Sequence, residues 1–182
     1  MIIYNDINRL KSTVIKFVSN NPKSKIISID GWVGAGKTHL VAPAIKNAIN
    51  WDVIDGDKEF LIPNVSREYV FNAPKIKSLF SKDEKIIIDS VLITDIFQIA
   101  NRQPDLSIYV KRINNSGEWI DEHITHPSSN IDKLFTYYSS PFQRQLIQYH
   151  RLKKPHESPD IIYLNQDPHN ADHQSMLEMF VD

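Results

Sequence analysis

Residues 25–38 read KIISIDGWVGAGKT, a β-branched run that stops at a glycine-rich turn and hands over to a lysine and a threonine. Gly31, Gly36, Lys37 and Thr38 satisfy the pattern G-x-x-x-x-G-K-[ST], in which a strand delivers a loop of backbone N–H groups to phosphates and the closing lysine opens a helix. A loop of this kind has no room for inward-pointing side chains, so Gly31, Gly34 and Gly36 supply the dihedral freedom and the close approach. The chain has only five glycines, and three of them fall here. The helix start adds a positive dipole end, Lys37 reaches the β- and γ-phosphates, and the Thr38 hydroxyl ligates magnesium. The expected nucleotide-binding residues are therefore Gly31, Gly34, Ala35, Gly36, Lys37, Thr38 and His39. The expected cofactors are ATP, or another nucleoside triphosphate, and Mg2+.

On the N-terminal side, Ile7, Leu10, Val14, Phe17 and Val18 recur at helical spacing between Asn5, a candidate N-cap, and Pro22, which predicts an amphipathic helix within residues 1–24. On the C-terminal side, Leu40, Val41, Ala44, Ile45, Ala48 and Ile49 form one helical stripe interrupted by Pro43. A proline at that depth predicts a kink or an early irregular turn. Further strands are expected at Trp51–Asp55, at KIIID (85–89), at Leu106–Val110 and at Asp160–Leu164, with a helix through Ile96, Phe97 and Ile99 and another over FQRQLIQYHRL. Residues 58–82 and 112–145 give only loop-grade signals apart from these. Strands separated by helical stretches imply right-handed crossovers and a parallel sheet covered on both faces. Ligands bind at the carboxyl ends of such strands, which aligns Asp30, Asp55, Asp89 and Lys111 on one rim.

Composition limits the alternatives. At 182 residues the chain fits a single domain. Lys and Arg number 21 against 22 for Asp and Glu, so no broad basic field favours nucleic acid. There is no cysteine, which removes disulfides, thiolate metal sites and cysteine nucleophiles. The start MIIYNDINRL has neither a basic n-region nor a sustained apolar stretch, and no segment reaches the length of a membrane span; the expectation is a soluble cytoplasmic protein. A phosphate loop also needs a carboxylate in the metal shell, and Asp89, at the end of the most hydrophobic strand, fills that demand, though an Asp in that place can also cap the next helix.

The order of elements resembles the small-molecule P-loop kinases, especially the uridine kinase-like branch, through SIDGWVGAGKT (28–38), VIDGD (53–57), KIIIDSVLI (85–93), DLSIYVKR (105–112) and YHRLKKPHESPDIIYL (149–164). VIDGD also resembles the adenylylsulfate kinases. The resemblance implies a three-layer P-loop NTPase fold with a five-stranded parallel sheet in the order 2-3-1-4-5, an acceptor-side lobe over 56–84 and a lid-like region over 113–157. It places the acceptor over the second strand, so that Asp57, with Asp55 behind it, orients the nucleophile and accepts its proton; D-G-D is also a common turn. The arginine-rich lid helix of the family is missing after IYVKRI. Arg144, Gln148 and Arg151 share a helical face and are the substitute, with Arg144 and Arg151 supplying guanidinium groups to the transfer.

His123 and His126, and His169 and His173, have spacings that could hold a metal, but solvated histidines explain them better. Phe135, Tyr137, Tyr138 and Tyr149 either stack a substrate base or belong to the core. Trp32 packs over the loop or meets a ligand, and Asn165–Pro168 contacts an adenine or is a plain turn. The expected activity is transfer of the γ-phosphate of ATP to a hydroxyl of a nucleoside or similar small metabolite. The alternatives are a nucleotide-binding regulatory protein with a degenerate site and a polynucleotide 5′-kinase.

Overall fold

The structure, a computed structural model, describes residues 1–166. Along the chain run β1 (Ile2–Tyr4), α1 (Ile7–Asn20), β2 (Ile26–Gly31), a π-helical turn (Lys37–Val41) leading into α2 (Ala42–Ile49), β3 (Asp52–Asp55), α3 (Gly56–Phe60), β4 (Leu61–Pro63) and β5 (Tyr69–Phe71). There follow α4 (Ala73–Ser81), β6 (Ile86–Asp89), α5 (Ile93–Ala100), β7 (Leu106–Ile113), α6 (Glu122–Thr125), α7 (Ile131–Tyr137), α8 (Pro141–Lys153) and β8 (Ile161–Gln166).

The result is an α/β fold. Six parallel strands in the order β1-β8-β7-β2-β6-β3 form the sheet, with helices flanking it. The expected five strands in the order 2-3-1-4-5 are thus corrected in number and in full order. The added strand is β1, which pairs Ile2, Ile3 and Tyr4 with Ile161, Ile162 and Tyr163 at the edge beside β8. It lies just ahead of the expected helix, within residues 1–24, where no strand was expected. The N-cap accordingly moves from Asn5 to Asp6, whose carboxylate accepts from the backbone N–H of Asn8 at 2.7 Å. Pro43 is the second residue of α2, and the irregular turn it was expected to force is the π-helical one directly before it.

Strand alternation divides the interior. On one face Ile27, Ile29, Ile87, Ile108 and Val110 pack against Leu10 and Val14 of α1 and Ala42 and Ile45 of α2. On the other, Ile86 and Ile88 meet Ile76 and Phe80 of α4 and Ile93, Ile96 and Phe97 of α5. A third cluster, built from Trp32, Leu61, Val91, Leu92, Ile124, Leu134, Leu146 and Ile147, joins the glycine-rich loop to α6, α7 and α8. Strands buried on both faces read as continuous apolar runs, as β6 does. Among the described residues no helix is long and apolar enough to cross a membrane.

Candidate functional site

Strand β2 is central, hydrogen-bonded to β6 on one side and β7 on the other, and its end delivers the loop. Gly31 has φ +145°, and a Cβ there would stand 2.5 Å from the carbonyl oxygen of Val110. Gly36 has φ +92°, and a Cβ there would meet the Asn165 amide at 2.6 Å. Neither position tolerates a side chain. Asn165 Nδ2 donates to the Ala35 carbonyl at 3.0 Å, which ties the end of β8 to the loop.

Lys37 is buried and folded back on the loop, its Nζ donating to the carbonyls of Gly31 (2.7 Å) and Trp32 (3.0 Å). Burial pushes its ammonium below the usual lysine range, while Asp57, Asp30, Asp89 and Asp121 pull it back up. At the next residue, the Thr38 hydroxyl donates to Asp89 Oδ2. The other oxygen, Asp89 Oδ1, is buried and has no hydrogen-bond partner among the described residues. Burial raises the Asp89 carboxyl, Thr38 lowers it and the neighbouring Asp55 adds to the rise. A hydroxyl and a half-satisfied buried carboxylate at the phosphate loop form a donor pair of hard oxygens, the chemistry that suits magnesium with retained waters. Among the described residues no group of three or more His, Asp or Glu is arranged to hold a metal.

A cavity of about 440 Å³ opens on the loop, lined by Val33–His39, Asp57, Lys58, Leu61, Tyr69, Val91 and Phe142. Asp57 stands on its wall in the first turn of α3. Its Oδ1 accepts from Ser90 Oγ (2.7 Å) and Val91 N–H (3.0 Å), so the segment after β6 orients the carboxylate. Asp55, in contrast, is absent from the cavity lining and caps α3, accepting from Lys58 N–H at 3.2 Å and pairing with Lys58 Nζ at 2.8 Å.

The lid candidates do not join this cavity. Arg144 donates to the Phe135 carbonyl at 3.0 Å and lies over the Phe135 ring, and Arg151 donates to the Ser129 carbonyl at 3.1 Å.

No protein-family model matches this chain, and a comparison with curated proteins finds no significant match.

Two groups near the loop lie outside the G-x-x-x-x-G-K-[ST] pattern itself. Asp30 is buried beneath it, accepting from Gly31 N–H at 2.6 Å and from the Tyr149 hydroxyl at 2.5 Å, and burial raises its carboxyl to about 7 against those bonds and Lys37. Arg112, at the end of β7, grips Asp121 through Nε (3.0 Å) and Nη2. The alternation of Ser28 and Asp30 with Ile27 and Ile29 was the available signal for Asp30. Nothing local distinguishes Arg112.

A second cavity of about 580 Å³ borders the first, sharing Val33 and Phe142 and lined also by Trp32, Arg112, Asp121, His123, Tyr137 and Tyr138. Trp32 is buried, edge-on to Tyr138 and tilted against His150. Tyr149 belongs to the core, and Tyr137 and Tyr138 line the second cavity. His123 lies 3.1 Å by Nδ1 from the Ile120 carbonyl and 2.8 Å by Nε2 from the Tyr138 hydroxyl, and His126 Nδ1 accepts from Ser128 N–H. Asp167, Pro168, His169 and His173 lie outside the described residues.

Proposed function

We propose that this protein is an ATP- and magnesium-dependent P-loop kinase, similar to the uridine kinase-like branch, acting on a hydroxyl of a nucleoside or similar small metabolite. The observation that carries the reading is a convergence at the end of β2. Lys37 is backed into the loop, Thr38 is bonded to Asp89, and Asp57 stands on the wall of the same cavity. A nucleoside triphosphate offers Lys37 Nζ phosphate oxygens in place of the carbonyls of Gly31 and Trp32. Asp57, held by Ser90 and Val91, orients the acceptor hydroxyl and takes its proton as the acceptor oxygen bonds to the γ-phosphorus. Thr38 and Asp89 are the residues that would hold magnesium, which supplies charge neutralisation at the phosphates.

The reading is tested by phosphate transfer from labelled ATP to a panel of nucleosides and small hydroxyl metabolites. At least one acceptor should be labelled, and Asp57→Asn should lower turnover by about 10²–10⁴-fold while leaving MgATP affinity near that of the wild type. A panel that yields no phosphorylated product would remove the kinase reading.

The engagement of Arg144 and Arg151 with backbone carbonyls favours one second reading, a regulatory protein that binds nucleotide without transferring phosphate. Nucleotide binding with no transfer to any acceptor, unchanged by Asp57→Asn, is the outcome that selects it.

A further inference from the structure

Central strands of a sheet covered on both faces carry apolar side chains throughout, and two neighbouring strands here depart from that on one face. Ser28 of β2 and Ser107 of β7 are register partners, and so are Asp30 and Tyr109, two residues further along. Ile27 and Ile29 point the other way, into the cluster under α1 and α2. Two serines side by side leave space that a β-branched pair would fill. A cavity of about 480 Å³ stands there between α5 and the end of α8, with Ser28, Asp30, Ser107 and Tyr109 as its floor. It shares no lining residue with the cavity over Lys37, Thr38 and Asp57, and its size is that of a small-molecule site.

The polar groups of the floor differ in what they already hold. Ser107 Oγ donates to Asp160 Oδ2 at 2.8 Å, Tyr109 Oη lies 3.3 Å from His150 Nδ1, and the two Asp30 oxygens accept from Gly31 N–H and the Tyr149 hydroxyl. Ser28, 4% exposed, makes no side-chain hydrogen bond among the described residues, and it faces the cavity. Buried hydroxyls without a partner are uncommon. Above the floor, Ile93 and Phe97 of α5 form an apolar wall. The mouth is basic, lined by Arg102, Lys153 and Lys154. Lys153 is held by Asp95 and Gln98, and Lys154 by Glu157. Exposed Arg102 makes no side-chain hydrogen bond or ion pair among the described residues, although Asp83, Glu84 and Asp105 border a neighbouring hollow with it. An uncommitted guanidinium fits the two oxygens of a carboxylate. Burial raises the Asp30 carboxyl to about 7, which weakens the repulsion an anion meets at the floor.

We propose that this cavity is a second ligand site, separate from the phosphate loop, for a small hydroxyl-bearing carboxylate of the sugar-acid type. The carboxylate meets Arg102 at the mouth, a hydroxyl bonds Ser28 Oγ at the floor, and the C–H face of the ligand lies on Phe97. The site does not depend on the kinase reading.

The experiment exploits the absence of cysteine from this chain. Ser28→Cys places one thiol at the floor, close in size to the hydroxyl it replaces, and its alkylation by iodoacetate, with iodide leaving as the thioether forms, measures the entry of a small carboxylate. The folded variant should react. Its preference for iodoacetate over neutral iodoacetamide should exceed that of the same variant unfolded in urea by roughly fivefold, and adding Arg102→Gln should remove most of that excess. Saturating glucuronate should slow the alkylation at least about tenfold. In calorimetry the wild-type chain should bind glucuronate at least about tenfold more tightly than glucose, which lacks the carboxylate, or succinate, which lacks the hydroxyls, and Arg102→Gln should lose about that factor. The calorimetric comparison carries the test if Ser28→Cys does not fold. A folded variant that resists alkylation, or prefers iodoacetate no more than the unfolded chain does, would overturn the site. So would glucuronate that binds no better than glucose and succinate, which leaves a cavity for water alone, or glucuronate that binds without protecting the thiol, which places it elsewhere.

Discussion

Thr38 and Asp89 are 51 residues apart in sequence and meet through one hydroxyl proton. The spare oxygen of Asp89 is buried without a partner among the described residues, and in the proposed function the pair holds magnesium. Asp89→Asn should therefore weaken magnesium-dependent ADP binding by at least about tenfold, read by titrating magnesium at fixed nucleotide, while leaving the melting temperature unchanged or higher because a buried charge is gone. Asp30 makes a pH prediction. Its folded carboxyl is raised from 3.8 to about 7, so the fold holds a proton that the unfolded chain has released. The fold bears no penalty from this group below about pH 4; the penalty grows as pH rises toward about 7 and is constant above it. Buried His150, lowered to about 3, works in the opposite sense below about 6.5, where the unfolded chain takes up a proton that the fold refuses. Asp30→Asn isolates the first effect. The stability difference between variant and wild type in urea unfolding should grow in favour of the variant by a few kcal/mol, on the order of 3–4, between pH 4 and 7. A difference that does not change with pH would contradict the raised carboxyl. The motif residues were legible because one short loop specifies them. Asp30 was legible only as a member of the rim and not as a buried, protonated group, and the pairing of Arg112 was not legible, since a carboxylate from a separate segment defines it.

At the scale of elements, the part of the chain that read as a loop after β3 is a short helix followed by the hairpin β4–β5. Its three-residue strands are too short for alternation to register. The hairpin's anchor is also remote: Gln145 of α8 accepts from Tyr69 N–H and donates to Tyr69 C=O, both at 2.9 Å, in the manner of a neighbouring strand. One turn earlier on α8, Phe142 packs against the Tyr69 ring with centroids 4.4 Å apart. Gln145→Met should release the hairpin without emptying the space. Backbone amides of Tyr69–Phe71 should exchange with solvent about tenfold faster, corresponding to roughly 1–1.5 kcal/mol of lost hydrogen bonding, with little change elsewhere. Exchange equal to that of wild type would show that Phe142 alone holds the hairpin. Helix α8 begins with a capping box, Ser140 Oγ accepting from Gln143 N–H at 3.1 Å and the Gln143 side chain returning to Ser140 N–H. Ser140→Ala should cost about 1 kcal/mol in denaturant unfolding. Both α1 and α8 were readable from apolar spacing. The turn at Lys37–Val41 was legible only as an irregularity demanded by Pro43, because its π-helical form depends on how the loop closes.

Across the whole molecule, five of the six sheet strands announced themselves, because each carries a β-branched run; the sheet buries four of them, as it does Ile86–Ile88, and leaves Val53 and Ile54 of β3 half-buried. The sixth, β1, is an exposed edge strand of three residues whose partner is the last strand described, and pairing between opposite ends of a chain leaves no local trace. The same limit applies to the third apolar cluster, where Trp32 of the loop packs with residues of α6, α7 and α8. That cluster covers the carboxyl ends of the strands, so the loop is braced from above by side chains far away in sequence. In the proposed function this braced loop binds a nucleoside triphosphate through Lys37, and the decisive measurement is calorimetric titration of wild type and Lys37→Ala with MgATP. Wild type should bind with a stoichiometry near one per chain, and saturation at a hundred times the dissociation constant should add about 2.7 kcal/mol of stability, whereas the variant should fold and show little or no heat of binding. A folded wild type that binds neither MgATP nor MgGTP, or a Lys37→Ala variant that binds as well as wild type, would contradict it.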